Sequence, residues 1–423
     1  MSIRGLPVRP NLDQLRHQAK ELHRALRAGD AVARAEWAEY GPRGDPAAAK
    51  LADAQHLLAR LYQATSWPRV VQACALSEAL WDDDLATVQR LVRTHPSLLH
   101  EHVLIRKNSN WGPPLSYAAN LGRDRIIRWL YEMGATDGLA HALDRALLQG
   151  QTDTARLLHG LMGSPGVPEG SLDGPAYTLN LSGTQLALEL GARVITADGR
   201  RLAPVDVVLE TDSRKPSVKH AILALYEQHG LVYPDTPPMA LHRGRLDLLE
   251  AHLARDPALL TRTFTHEEIY PPSMGCHDEV QATHATPLAG TTLLHMCADY
   301  GEIEIARWLL DRGMPVNTRA TIDDEGFGGH TALFSAVVSQ TNFWRNYQRR
   351  PEDVQDDAAF TRLLLDHGAD PHVRVSLRKQ LHPGYGDDTL YVYRDVTPLS
   401  WGEQFSNPLF VSRAAMRLIA ARS

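Results

Sequence analysis

The chain has 423 residues, 43% hydrophobic and 22% charged, so it can bury a core and is not wholly disordered. That length allows about two to three compact domains or one elongated repeat array. A net charge of −6, from 44 Lys and Arg against 50 Asp and Glu, argues against a general nucleic-acid-binding surface. No apolar run approaches the ~18 residues of a membrane span, and residues 1–10 lack the apolar stretch of a secretion signal. The three cysteines, Cys74, Cys276 and Cys297, give no disulfide framework and fit a reducing compartment. A cytoplasmic protein with neither membrane nor nucleic-acid partner is therefore expected. Histidine is abundant, at 20 residues, and several of these cluster.

In chain order, Leu12, Leu15, Ala19, Leu22 and Leu26 recur at three- and four-residue steps and predict a helix. Asn11 and Gln14 stand where a capping box would start it, and Gly29 and Asp30 end it. A turn-rich break, GPRGDP, follows at 41–46. Residues 50–73 predict a further helical pair, re-entered at Ser66, Trp67 and Pro68, where proline suits a first helical turn. From about residue 76 the chain repeats itself. GRDRIIRWLYEMGA (122–135), GQTDTARLLHGLMG (150–163), GRLDLLEAHLARDP (244–257) and GEIEIARWLLDRGM (301–314) share one plan. Each starts with Gly and runs as a short amphipathic helix. Three of the four stop at a second Gly, as a left-handed helix end requires. QHGLVY (228–233) and DHGADP (366–371) carry the same stop, and DDDLATVQRLV (82–92) is a weaker copy.

A second signal precedes several copies. Residues 112–119 (GPPLSYAA), 290–298 (GTTLLHMCA), 329–336 (GHTALFSA) and 396–402 (VTPLSWG) align with one another. Thr292 to Ala306 and Pro113 to Ile127 are equivalent pairs with the same spacing of 14 residues. This pattern resembles the ankyrin repeat, G-x-T-P-L-H-x-A, helix, Gly, second helix, G-A-D. The resemblance covers roughly residues 76–423, and it is sharp in 290–373, moderate in 110–163 and vague in 174–235. It implies an all-α ankyrin-repeat solenoid of stacked helix pairs, about seven to nine of them. The expected organisation is an N-terminal helical cap (1–75), degenerate repeats (76–260) and repeats with loop insertions (261–423). Bacterial ankyrin proteins that open with a leucine-periodic basic helix, like LDQLRHQAKELHRAL here, are similar at this end.

Three insertions interrupt the pattern: 261–289, 340–355 and 374–395. The second follows from spacing, since Thr331 to Thr361 spans 30 residues where the regular repeat uses 14. Insertions in repeat arrays map to one face, often the binding face. The first carries His266, Glu267, Glu268, Tyr270, Cys276, His277, Asp278, Glu279 and His284, and His295, Cys297 and Asp299 follow. Paired-cysteine and HExxH spacings are absent, so no metal ligands are assigned and no cofactor is expected. His295 falls on the histidine of the T-P-L-H signature, which in that family ties adjacent turns, so it and Cys297 are read as structural. The glycine-rich acidic stretch 323–330 reads as a tight finger hairpin with no lysine to make it a phosphate cradle. Arg394 and Asp395 read as a loop ion pair.

Two functions fit these residues. The first is a binding scaffold that holds a protein partner on its concave face and inserted loops. Its contact candidates are Trp111, Tyr117, Asn120, Tyr270, Trp344 and Tyr393. Inter-repeat packing is the structural alternative for each of the first three. The second is a small-molecule site, a cofactor-independent lyase, cyclase or hydrolase. Its acid–base candidates are His266, Glu267, His277, Asp278, His284 and His330. A capped array of this kind is expected to be monomeric.

Overall fold

A computed structural model describes residues 4–106, 109–163, 166–210, 214–279, 285–339, 358–381 and 389–422. His284, Trp344 and the insertion 340–355 lie outside the described residues. Contacts divide the chain into two units, Met1–Pro168 and Glu169–Ser423.

In the first unit, α1 (Leu12–Ala28) buries Leu15, Ala19, Leu22 and Leu26, the stripe its periodicity predicts. The Asn11 side chain accepts the Gln14 N–H at its start, and left-handed Gly29 closes it. It packs with α2 (Ala31–Tyr40), α3 (Leu51–Leu61) and α4 (Trp67–Trp81) around Leu57, Leu58, Val70 and Cys74. Ser66 caps α4 just ahead of Trp67 and Pro68. Then come α5 (Leu85–Thr94), α6 (Pro114–Leu121), α7 (Asp124–Glu132), α8 (Leu139–Gln149) and α9 (Thr152–Met162). All eight residues of α6 are buried, so it is an inner helix with neighbours on every side. Gly122 and Gly150, at φ 71° and 70°, close the inner helices α6 and α8. The glycine that opens each sequence copy is therefore the end of the helix before it.

The second unit begins with α10 (Asp173–Tyr177), α11 (Leu181–Glu189), α12 (Val205–Leu209) and α13 (Pro216–Gln228). The stretch where the repeat signal fades is thus still helix pairs, with short inner members. Regular repeats follow: α14 (Pro237–His242) and α15 (Leu246–Arg255), the one-turn α16 (His266–Ile269), then α17 (Leu293–Tyr300) and α18 (Ile303–Asp311). The last are α19 (Ala332–Val337), α20 (Ala359–Asp366), α21 (Pro398–Gln404) and α22 (Arg413–Ala420). The inner helices α14, α17, α19 and α21 pack in succession, as a solenoid requires.

His295 shows how one turn is fastened to the next. The Thr292 N–H points at His295 Nδ1 (3.3 Å), and His295 Nε2 meets the His330 carbonyl at 3.0 Å. A carbonyl can only accept, so Nε2 carries the proton and Nδ1 receives. Burial pushes the His295 pKa down to about 4, which keeps the ring neutral and this tautomer in place.

The third insertion folds into β1 (Val375–Lys379) and β2 (Tyr391–Val396), antiparallel with Leu377 opposite Tyr393. The register shifts between Val375 and Leu377, and Asp395 takes a positive φ of 49° in the facing strand. That turn parts the expected Arg394–Asp395 pair: Asp395 bonds Arg374 at 2.7 Å, while Arg394 lies 4.2 Å over the Phe327 ring. Main-chain hydrogen bonds join this hairpin to the finger turns. They run from Phe264 to Thr291 (2.8 Å), from Thr321 to Gly290 (2.8 Å) and from Gly328 to Ser376 (2.9 Å). A band of paired backbone therefore edges the repeats from Phe264 to β2. Gly328 leaves no room for a side chain, at φ +115° with the Thr321 carbonyl where one would start. Gly328→Ala is expected to cost about 1–3 kcal/mol, read as a lower urea midpoint with the acidic finger's amides exchanging faster.

Candidate functional site

The fingers enclose a cleft of about 430 Å³ that opens to solvent. Its walls include Phe264, Phe327, His266, His330, Glu279 and Arg378. Asp323 shapes one side: its Oδ1 accepts the main-chain N–H groups of Glu325 (3.0 Å) and Phe327 (2.9 Å). Those bonds, Phe327's foremost, hold its carboxyl below the usual range. Arg378 spans Asp323 Oδ2 (2.8 Å) and Glu325 (2.6 Å), with its guanidinium 4.7 Å above the Phe327 ring. His330 is buried and bonds the Pro287 carbonyl through Nε2 at 2.9 Å. Burial, with the nearby His295 second, pushes its pKa down to about 3, so it is neutral at physiological pH.

A second constellation is interior. Lys219 on α13 is 1% exposed, with Nζ 2.7 Å from His242 Nδ1 and 3.8 Å over the Tyr300 ring. His242 Nε2 donates to the Ile269 carbonyl (3.0 Å), so Nδ1 is the acceptor for the ammonium. Tyr300 donates to the Leu209 carbonyl at 3.0 Å, which leaves its oxygen to accept from the Tyr270 hydroxyl. Burial drives the Lys219 pKa down to about 8 against the pull of Glu302, Asp299 and Cys276. Burial, then the ammonium, holds His242 well below its ordinary value. Above this knot, Glu210 takes both the main-chain N–H (2.6 Å) and Nδ1 (2.7 Å) of His277, and that bond raises the His277 pKa. Burial and Glu210 together push the Cys276 thiol up, so it stays protonated and poorly nucleophilic. Lys219, His242, Tyr270 and Tyr300 thus hydrogen-bond one another and main-chain carbonyls. Such a network fastens α13, α14 and α17 to the 266–279 segment.

The acid–base candidates do not form one array. His266 and His330 line the finger cleft. His266 Nε2 bonds the His277 carbonyl at 2.8 Å, whereas the His277 ring turns to Glu210. Glu267 and Asp278 are exposed. The contact candidates that can be placed face inward. Trp111, Tyr117 and Asn120 are buried, and Trp111 packs 4.7 Å from Tyr117 between ring centroids. The Tyr117 hydroxyl meets Ser77 (3.0 Å) and Trp81 Nε1 (2.8 Å), and Asn120 Oδ1 accepts from buried Arg145 at 3.0 Å. Tyr270 belongs to the interior knot. Tyr393 packs 4.7 Å from Trp401 and accepts the Ser406 N–H through its hydroxyl. Inter-repeat packing, rather than an open groove, holds these aromatic side chains. Phe264 and Arg378, which do line the open cleft, carried no motif that would have marked them, and Phe327 was legible only as part of the acidic finger. Lys219, His242 and Glu210 sat in the degenerate stretch.

Among the described residues no three His, Cys, Asp or Glu side chains gather as a metal cluster. No helix there is long and apolar enough to cross a membrane. No curated protein matches the chain. Among solved structures, the human ASB11 ankyrin repeat domain is similar at 16% identity, over 73% of this chain and 97% of that one, with a TM-score of 0.25. The family profile for the ankyrin repeat matches residues 289–321, the stretch holding Thr292, His295 and α17–α18. The chain thus carries an ankyrin repeat at residues 289–321, set within a succession of stacked inner helices.

Proposed function

We propose that the chain is a cytoplasmic, monomeric binding scaffold that holds a protein partner on its finger edge, with the cleft as anchor point. The observation that carries this reading is the solvent-open cleft of about 430 Å³, walled by finger turns of successive repeats. Ankyrin repeats generally mediate protein–protein interaction, and loops set on a rigid repeat frame are where such arrays vary. Cys74, Cys276 and Cys297 are all free thiols, which suits a reducing compartment. Acid–base catalysis has less support, because its described candidates point to different neighbours: His266 to the His277 carbonyl, His277 to Glu210 and His330 to the Pro287 carbonyl.

The test is affinity capture with the intact chain and a variant of Thr263, a further residue of the cleft wall, in which Thr263→Trp plugs the cleft without changing charge. At least one captured protein should fall by about tenfold or more with the plugged chain, at unchanged helical circular dichroism. Undiminished capture of every protein would remove the cleft from the binding surface.

A further inference from the structure

We propose that the finger cleft receives a cationic side chain, a lysine ammonium or an arginine guanidinium, presented by the bound protein. The inference rests on the scaffold reading and names the chemistry of its anchor. Two acceptors on residues of the cleft wall have no donor among the described residues. Glu279 is exposed and makes no hydrogen bond or ion pair among the described residues, only a longer-range attraction to Lys379. His330 Nδ1 is buried without a hydrogen-bond partner among the described residues, while Nε2 is committed to the Pro287 carbonyl. A ring that donates through Nε2 can only accept through Nδ1, and its low pKa keeps it so. A guest must therefore bring N–H donors, and the Glu279 carboxylate favours donors that carry positive charge.

The walls point the same way. The two cleft phenylalanines already carry guanidinium groups of this chain: Arg262 lies 4.9 Å over Phe264, and Arg378 and Arg394 lie 4.7 and 4.2 Å over Phe327. A π face attracts cations and repels anions. Arg378, clamped between Asp323 and Glu325, occupies a place that a guest cation would compete for. The cleft volume lies in the range of small-ligand pockets, about 300–1,000 Å³, enough for one long side chain rather than a folded surface.

The test uses the full chain and four probes: the Nα-acetyl amides of lysine, arginine, norleucine and glutamate, followed by amide NMR. Saturable shifts at Gly290 and Gly328 are expected with lysine or arginine and not with norleucine or glutamate. Glu279→Gln should weaken the cation about tenfold, and Arg378→Gln, which frees Asp323, should strengthen it severalfold. The lysine and arginine arms tell which cation the cleft prefers. Equal binding of norleucine, or no saturable shift with either cation, would overturn the proposal. If cations bind but Thr263→Trp leaves capture intact, the cation site stands and the anchoring role falls. If the plugged chain loses its partner but Glu279→Gln keeps it and no cation binds, the scaffold stands and the cation site falls.

Discussion

Acidification from pH 6.5 towards pH 4 is expected to remove several kcal/mol of stability from the second unit, through histidines that are buried neutral. Burial is the first cause in each case. It sets His295 at about 4 and His330 at about 3, and with the Lys219 ammonium it holds His242 well below the ordinary 6.5. In the unfolded chain these rings bind protons near pH 6.5. Between that value and the folded one the unfolded state carries more protons, so stability falls as pH falls. At about 1.4 kcal/mol per pH unit, His295 alone accounts for about 3 kcal/mol. Urea unfolding at pH 7 and pH 4.5 measures the loss. His295→Gln keeps a side-chain donor but cannot titrate, so it should start less stable and then lose less on acidification. The same acid slope in variant and parent would mean that His295 is not held neutral.

The alkaline side should show the reverse of ordinary behaviour, with stability climbing as pH rises from about 8 towards 10. Lys219 and Lys379 are both buried, and burial brings each from 10.5 to about 8. A lysine with a lowered folded pKa binds its proton more tightly in the unfolded chain. Its contribution is therefore complete only above 10.5 and is lost as pH falls through 8. Each lysine should add about 2–3 kcal/mol between pH 8 and 10. The climb should stop near pH 10, because burial raises Tyr117 to about 12 and Tyr270 and Tyr300 well above their ordinary value. Unfolded tyrosines ionise first there, and stability turns down. Lys219→Met removes one of the two ammonium groups and should flatten about half of the climb in the thermal midpoint. A flat or falling profile from pH 8 to 10 in the parent would show that neither lysine loses its proton more readily in the folded chain.

What the sequence revealed and what it hid divide along a physical line. Features set by near neighbours were legible. The stripe of α1, the glycine stops, the Thr292–His295 pair and the acidic finger each depend on residues within a turn or two. The interior knot was not, because its members come from α13, α14, α16 and α17 and meet only when the repeats stack. Lys219 and His242 are 23 residues apart, Tyr300 and Leu209 are 91. Trp111, Tyr117 and Asn120 show a different limit. A large aromatic beside an amide is chemically the same whether it anchors a partner or fills the space between repeats, and only burial separates the two. The alternation of Val375 with Leu377 and of Tyr391 with Tyr393 does carry the period of a strand. Within an insertion between helices it had no repeat against which to register.

The backbone band along the fingers has a mechanical consequence. Hydrogen bonds between peptide groups tolerate only a few tenths of an ångström before they weaken steeply, whereas apolar helix faces can slide and repack. The finger margin from Phe264 to β2 is thus nearly inextensible, and the helical side supplies the compliance. Flexing of these repeats is expected to fan the outer helices apart while the fingers hold their spacing, as pages open from a bound spine. The cleft sits on that spine, so its dimensions should be preserved while the rest of the unit breathes.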